Sequence, residues 1–330
     1  MRVVFMGTPD FSVPCLIALT DAGHEVPLVV TQPDRPKGRG RHLAPTPVKA
    51  AALERHLEVF QPDRPNRPEA VAKIAAARPD VLVVVAYGAI LKAPLLGLAP
   101  MGAINVHASL LPRHRGMSPI HRAILDGDEM TGITTMHMNE GVDTGDMILT
   151  ATTAIGPDET TGELHDRLSD MGARLLVETL SQLESGTAPR TPQPGDGATY
   201  AGRIDKADGV LDWSRPAQEI HNRMRAMTPA PGATAILKGE SLHLAGSKVV
   251  GDDDSPAIAP PGTILAITRQ ALRVATGQGV LDIHDIRPAG GKTMSGADYA
   301  RGRGIAPGSR FEAVPPAAPR HPKEHGKDPS

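Results

Sequence analysis

Residues 81–86 read V-L-V-V-V-A, with no polar side chain on either face. A strand with one wet face alternates polar and apolar residues. An unbroken β-branched run must be covered on both faces, which is the environment of a parallel sheet under helices. Similar segments recur through the first half of the chain. The pattern predicts strands at 2–6, 26–31, 80–86, 102–107 and 132–138, separated by helical patterns at 14–22, 47–55, 68–77 and 119–125. Strand–helix alternation of this kind predicts an α/β, Rossmann-like domain with a mostly parallel sheet. A longer amphipathic segment, 161–183, is expected to close it.

The character of the chain then changes. Residues 185–199, S-G-T-A-P-R-T-P-Q-P-G-D-G-A-T, are rich in Pro, Gly, Ser and Thr and carry no periodicity. They read as a linker. Beyond them come a helical stretch at 216–227 and short β segments at 233–238, 242–245, 262–267, 271–275 and 280–286. Short strands between turn residues suggest a small β-barrel or sandwich. The expected organisation is a first domain at 1–185, a linker at 186–205, a second domain at 206–312 and a disordered tail at 313–330. At 330 residues, two domains agree with the length.

Composition narrows the setting. The net charge of −2 announces no nucleic acid or membrane partner for the chain as a whole, so any such surface must be local. The single cysteine, Cys15, cannot form an intramolecular disulfide and suggests a reducing cytoplasm. No apolar stretch approaches the roughly 20 residues of a spanning helix, so no membrane is expected. His114, His121 and His137 lack regular ligand spacing, and no metal is expected. His114 falls in a Pro- and Arg-rich loop that reads as flexible. Trp213, the only tryptophan, reads as a packing residue at the domain junction.

Residues 105–116 read N-V-H-A-S-L-L-P-R-H-R-G. Residues two apart in a strand share a face, so Asn105 and His107 should project together at the strand's C-terminal end. That end is where open parallel sheets bind ligands. Downstream, N-E-G-V-D-T-G-D carries Asp143 in a turn-rich loop. An Asn amide can donate to a developing oxyanion, a His can move a proton or carry positive charge, and an Asp can orient that His. From spacing alone N-x-H is a weak pattern, and a packed core histidine with an ordinary turn aspartate is the stronger reading.

The longer strings carry more information. N-V-H-A-S-L-L-P-R-H-R-G, then M-S-P-I-H-R-A-I-L-D-G-D, then D-T-G-D resemble the folate-dependent formyltransferase family, over roughly residues 1–185. The resemblance implies that Asn105, His107 and Asp143 are catalytic. It also implies that Ser109, Leu110, Leu111 and Pro112 border the folate. The segment V-A-Y-G-A-I-L implies a pterin-side edge of Tyr87, Gly88, Ile90 and Leu91, acting partly through backbone groups. The implied co-substrate is 10-formyltetrahydrofolate, whose formyl group passes directly to an amine.

Three features bear on the amine. The first strand ends in G-T-P-D-F, and the G-x-G-x-x-G dinucleotide pattern is absent. Next, T-Q-P-D-R-P-K-G-R-G-R carries Arg35, Lys37, Arg39 and Arg41, and up to Lys49 the stretch holds a single acid, Asp34. A basic loop of this kind suits a phosphodiester backbone, though a charge run by itself is more often a solvated surface. The stretch resembles the inserted loop of the methionyl-tRNA-formylating branch of the family, with Arg39 at the key arginine position. Finally, P-P-G-T-I-L, V-A-T-G-Q-G-V-L-D-I and I-R-P-A-G-G-K-T-M-S resemble that branch's C-terminal OB-like barrel. Between residues 210 and 312 there are 12 Lys/Arg against 10 Asp/Glu, three of the acids forming D-D-D at 252–254. The resemblance therefore implies a monomeric cytoplasmic enzyme that formylates initiator methionyl-tRNA. An amino sugar nucleotide as acceptor, or hydrolysis of the formyl folate, are the alternatives.

Overall fold

The computed structural model describes residues 1–37, 42–251 and 259–313. The chain divides into two compact units, Met1–Arg203 and a second that begins at Ile204.

In chain order the first unit contains β1 (Arg2–Gly7), α1 (Val13–Asp21), β2 (Glu25–Val30), β3 (Arg35–Lys37), β4 (His42–Ala44), α2 (Pro47–Glu54), β5 (Val59–Phe60), α3 (Pro68–Ala76), β6 (Val81–Val85), α4 (Ala93–Leu96), β7 (Ala103–His107), β8 (Arg115–Gly116), α5 (Pro119–Leu125), β9 (Met130–His137), β10 (Met147–Ala154), α6 (Thr161–Glu184) and β11 (Tyr200–Ala201). Seven of these strands form one sheet in the order β10-β9-β7-β6-β1-β2-β5. From β7 to β5 the pairs are parallel; β9 and β10 are antiparallel to their neighbours.

The sheet is covered on both faces, as the V-L-V-V-V run requires. Val4, Met6, Leu28, Val30, Leu82 and Val84 pack with Ile74 of α3 and Leu95 of α4. The alternate residues Val3, Phe5, Val81, Val83 and Val85 are fully buried as well. Each such side chain contributes roughly 1.5–3 kcal/mol by leaving water. Helices α2, α3 and α5 begin with proline, whose fixed φ suits the first helical turn. In α6, Thr160 and Glu163 form a reciprocal capping box: Glu163 Oε2 accepts from the Thr160 N–H at 2.9 Å, and Thr160 Oγ1 accepts from the Glu163 N–H at 3.3 Å. A Cβ added at Gly172 of α6 would stand 3.1 Å from Val106 Cγ1. Val106 therefore faces α6, and Asn105 and His107 face the opposite side of the sheet.

Strands β5 and β10 and the hairpin β3–β4 were not expected. Residues 186–205 also differ from the expected linker. Thr191 forms a bridge with Met147, and β11 pairs with β8, so this stretch up to Arg203 belongs to the first unit. It lacks periodicity because it is held by isolated bonds rather than by a repeating face.

The second unit contains α7 (Ala217–Ala226), β12 (Ala233–Leu237), β13 (Glu240–Leu244), β14 (Ser247–Val250), β15 (Ile264–Ile267), β16 (Leu272–Ala275), β17 (Val280–Ile283), β18 (Asp285–Pro288), β19 (Met294–Ser295) and α8 (Gly296–Arg303). The strands form two antiparallel sheets, β12-β13-β18-β19 and β14-β17-β16-β15. The expected single strand 280–286 is two strands, each in a different sheet. Trp213 is buried and stacked on Phe311, with ring centroids 4.6 Å apart. Residues 314–330 of the expected tail lie outside the described residues.

Candidate active site

Strand β7 ends at His107 and places Asn105 and His107 on one face, both buried. Asp143 reaches them from the loop after β9. Its Oδ1 accepts from Asn105 Nδ2 at 3.2 Å, and its Oδ2 accepts from the Gly116 N–H at 2.8 Å. Oδ2 also stands 3.6 Å from His107 Nδ1, with the two side chains only 16% and 6% exposed. Asp143 has φ +52°, a left-handed conformation that Asp and Asn adopt more readily than other side-chain-bearing residues.

The other ring nitrogen fixes the role of the imidazole. His107 Nε2 lies 3.0 Å from the main-chain oxygen of His114. A carbonyl can only accept, so Nε2 carries a proton and donates it there. With Nε2–H fixed, Nδ1 is the nitrogen turned towards the carboxylate, and protonation at Nδ1 completes an ion pair. Asn105 Nδ2 has a second N–H beyond the one given to Asp143. Asn105 Nδ2 and His107 Nδ1 thus stand beside one carboxylate, an arrangement suited to binding an oxyanion and, with the ring protonated at Nδ1, to moving a proton.

The loop that follows is pinned rather than flexible. Ser109 is buried and its hydroxyl donates to the Arg113 carbonyl at 2.6 Å. Thr134 Oγ1 donates to the Ser109 carbonyl at 2.7 Å and accepts from the Leu111 N–H at 3.2 Å. His114 is 2% exposed; its Nε2 is 2.6 Å from Asp128 Oδ2, and its backbone N–H donates to Thr199 Oγ1 at 2.8 Å. Proline and arginine content suggested disorder here, but these long-range bonds hold the loop.

The eight residues assigned to a folate edge divide by burial. Tyr87 and Leu91 belong to the core beneath the sheet, and Leu111 is buried. Ser109 spends its hydroxyl on the loop. Gly88 and Ile90 are exposed, and Leu110 and Pro112 are half-buried. Tyr87 Oη is buried with no hydrogen-bond partner, and burial pushes the phenol up to about 12. An open cleft of about 420 Å³ lies beside this edge, lined by Thr8, Gln32, Arg35, Thr46, Tyr87 and Gly88 among others. Gly88, at φ +87°, has only Gln32 near its absent Cβ, so the cleft is open to a flat ligand there.

The basic stretch after β2 is a hairpin in which Arg35 pairs with Ala44 and Lys37 with His42. Arg35 is exposed. Arg39 and Arg41 lie outside the described residues. Asp34, the single acid, is already partnered: Lys49 Nζ is 2.6 Å from its Oδ2 and Gln61 Nε2 is 2.7 Å from its Oδ1. The Lys49 contact and then the Gln61 contact hold this carboxyl below its usual range. In the second unit Arg269, Arg287, Lys292, Arg301, Arg303 and Arg310 are exposed, whereas Arg273 is tied to Asp282 at 2.9 and 3.0 Å. Among the described residues, no group of three or more His, Cys, Asp or Glu could hold a metal ion, and no helix is long and apolar enough to cross a membrane.

One contributor to the site gave no signal in the sequence. Gln193, between two prolines, has its side-chain amide against the carbonyls of Asp143 and Gly145 and against the guanidinium of Arg115. A lone polar residue in an aperiodic segment has no pattern to mark it.

Over 316 residues the chain is 51% identical to the methionyl-tRNA formyltransferase of Heliobacterium modesticaldum, covering 94% of this chain and 100% of that protein. Its fold is similar to an N-formyltransferase from Helicobacter canadensis solved with folinic acid and dTDP-3-aminofucose: TM-score 0.65, 16% identity, 86% of this chain and 98% of that one. It is also similar to HypX from Aquifex aeolicus in complex with tetrahydrofolic acid: TM-score 0.61, 17% identity, 91% of this chain but 47% of that one. Residues 1–180 match the formyl transferase family and residues 203–304 match the formyl transferase C-terminal domain. With both matches in order along one chain, the chain belongs to the formyl transferase family.

Proposed function

We propose that the chain transfers a formyl group from 10-formyltetrahydrofolate to the amino group of methionyl-tRNA, and that Asn105, His107 and Asp143 carry the reaction. The observation that supports this most is the meeting of Asn105 and His107 at the carboxylate of Asp143. The full-length identity to a methionyl-tRNA formyltransferase supports the choice of acceptor.

When bound, the folate supplies an activated formyl group on nitrogen. The protein's part is electrostatic and positional. As the amine attacks the formyl carbon, negative charge develops on the formyl oxygen. Asn105 donates its second Nδ2–H to it, and the imidazolium of His107 supplies positive charge beside it. One such donor is worth about 2.7–4 kcal/mol in enzymes where it has been removed. Asp143 balances the imidazolium and fixes the ring plane. His107 Nδ1 is placed to give its proton to the departing nitrogen, and the proton that the attacking amine loses, directly or through water, restores it. Gly88, Ile90, Leu110 and Pro112 are the exposed or half-buried residues that fit the folate edge, with Tyr87 and Leu91 contributing main-chain groups and Leu111 and Ser109 shaping the loop. Arg35 and Lys37, with Arg39 and Arg41, and the exposed cations of the second unit would meet the tRNA backbone. The reading carries a monomeric enzyme of the cytoplasm.

The test offers 10-formyltetrahydrofolate with methionyl-tRNA, uncharged tRNA or a nucleotide-linked amino sugar, using the wild type and His107→Ala. Formylated methionyl-tRNA from the wild type alone is expected. Transfer to the sugar only, or undiminished turnover by His107→Ala, overturns the assignment.

A further inference from the structure

We infer that Gln193 is a positioning residue for Asp143, clasping together the two loops that complete the active site. The inference rests on the reading of Asp143 as catalytic. Strand β9 is antiparallel to β7, with His137 beside Ile104 and Thr134 beside His107. The chain therefore leaves β9 level with Ile104, three residues and roughly 10 Å short of His107. Asp143 must return across that distance on an irregular loop. Inside the loop, Asn139 Oδ1 accepts from the Gly141 N–H and the Thr144 hydroxyl, but these bonds shape the turn without attaching it to the neighbouring loop.

Beyond the bond from the Gly116 N–H to Asp143 Oδ2, Gln193 supplies a side-chain attachment. Its Nε2 lies 2.8 Å from the Asp143 carbonyl and 2.8 Å from the Gly145 carbonyl. Its Oε1 accepts from Arg115 Nε at 3.0 Å and Nη2 at 2.6 Å. Arg115 stands between His114, whose carbonyl takes the His107 Nε2 proton, and Gly116, whose N–H binds Asp143 Oδ2. One amide thus links the loop that holds His107 to the loop that supplies its counter-charge. Both amide N–H groups and both lone pairs of its oxygen are used. The backbone on either side is fastened: Thr191 exchanges bonds with Met147 at 2.8 and 2.9 Å, and β11 pairs with β8. No other side chain type offers two donors and a two-fold acceptor from one planar group in this way, except the shorter asparagine.

The test compares Gln193→Glu and Gln193→Met in the full-length protein. Glutamate keeps the partner of Arg115 but turns an acceptor onto two carbonyls. Methionine removes both sets of bonds at similar length. Both variants are expected to lose about 10–100-fold in kcat, since small displacements of catalytic groups are costly, while KM for 10-formyltetrahydrofolate changes less than about threefold. In an Asp143→Asn background, Gln193→Glu should cost less than about threefold more, because the carboxylate it positions is already gone. Wild-type kcat in Gln193→Glu, or an equal loss in both backgrounds, overturns the inference while leaving the catalytic reading intact. Full activity of Asp143→Asn by itself overturns that reading, and Gln193's role with it. Should Gln193→Met not fold, Gln193→Glu, which retains the Arg115 contact, decides the question.

Discussion

Replacing Asp143 with asparagine removes the charge while keeping shape and backbone preference, since asparagine also tolerates φ near +52°. At 3.6 Å from Nδ1, the carboxylate stabilises an imidazolium by about 4–5 kcal/mol at an effective dielectric of about 20. The amide oxygen that replaces it retains part of this attraction. A net loss of about 3 kcal/mol at the transition state corresponds to a fall in kcat of roughly 100-fold. Stability should change little. Asparagine can accept from the Gly116 N–H but then turns a donor towards Asn105 Nδ2, a cost of about 1 kcal/mol. That lowers Tm by about 2–4 °C in a unit of this size. Single-turnover rapid quench, with formylated and unformylated methionyl-tRNA separated under acid conditions, measures the rate. A kcat within about threefold of wild type, at nearly unchanged Tm, would refute the argument that this carboxylate sustains the charged imidazole.

Other outcomes follow from other parts of the chain. If tRNA is held by backbone electrostatics, its affinity falls steeply with salt, and Arg35→Ala lowers the slope of log K against log salt by about one; a slope unchanged within error removes Arg35 from the interface. Gly145→Ala would put a Cβ 1.7 Å from the His137 carbonyl, so urea unfolding should show a loss of about 2 kcal/mol or more, and wild-type stability would mean the loop relaxes freely. His137 is held below its ordinary 6.5 by burial and by Arg190, with Asp146 opposing. The folded ring therefore resists a proton that the unfolded chain accepts, and this contribution to stability is lost as pH falls below about 6.5 towards the lowered folded value. Tm measured between about pH 7 and pH 5 should decline less in His137→Asn than in wild type; parallel curves would assign the slope to other groups.

Much of the first unit follows from local pattern. The V-L-V-V-V run could only be a strand covered on both faces, and the β1, β2, β6 and β7 segments appear within a residue or two of their expected bounds. The two-residue period of a strand was enough to put Asn105 and His107 on one face at the end of β7, because that period depends on no distant partner. What local pattern could not supply is partner choice and direction. The sequence of β9 reads the same whether it runs parallel or antiparallel to β7, yet its direction decides how far Asp143 must travel. Ser109, Tyr87 and Leu91 look like ligand contacts in a motif, but only packing turns them inward. Residues 191–201 have the composition of a linker, and His114 that of a loose loop. Both are held by single bonds to residues up to 85 positions away, and such bonds leave no periodic trace in a chain. The sequence by itself determined the central strands of the first unit, their faces and the residue types of the candidate site. The tertiary structure decided which loops meet, because that depends on strand direction and on long-range hydrogen bonds that no stretch of sequence contains alone.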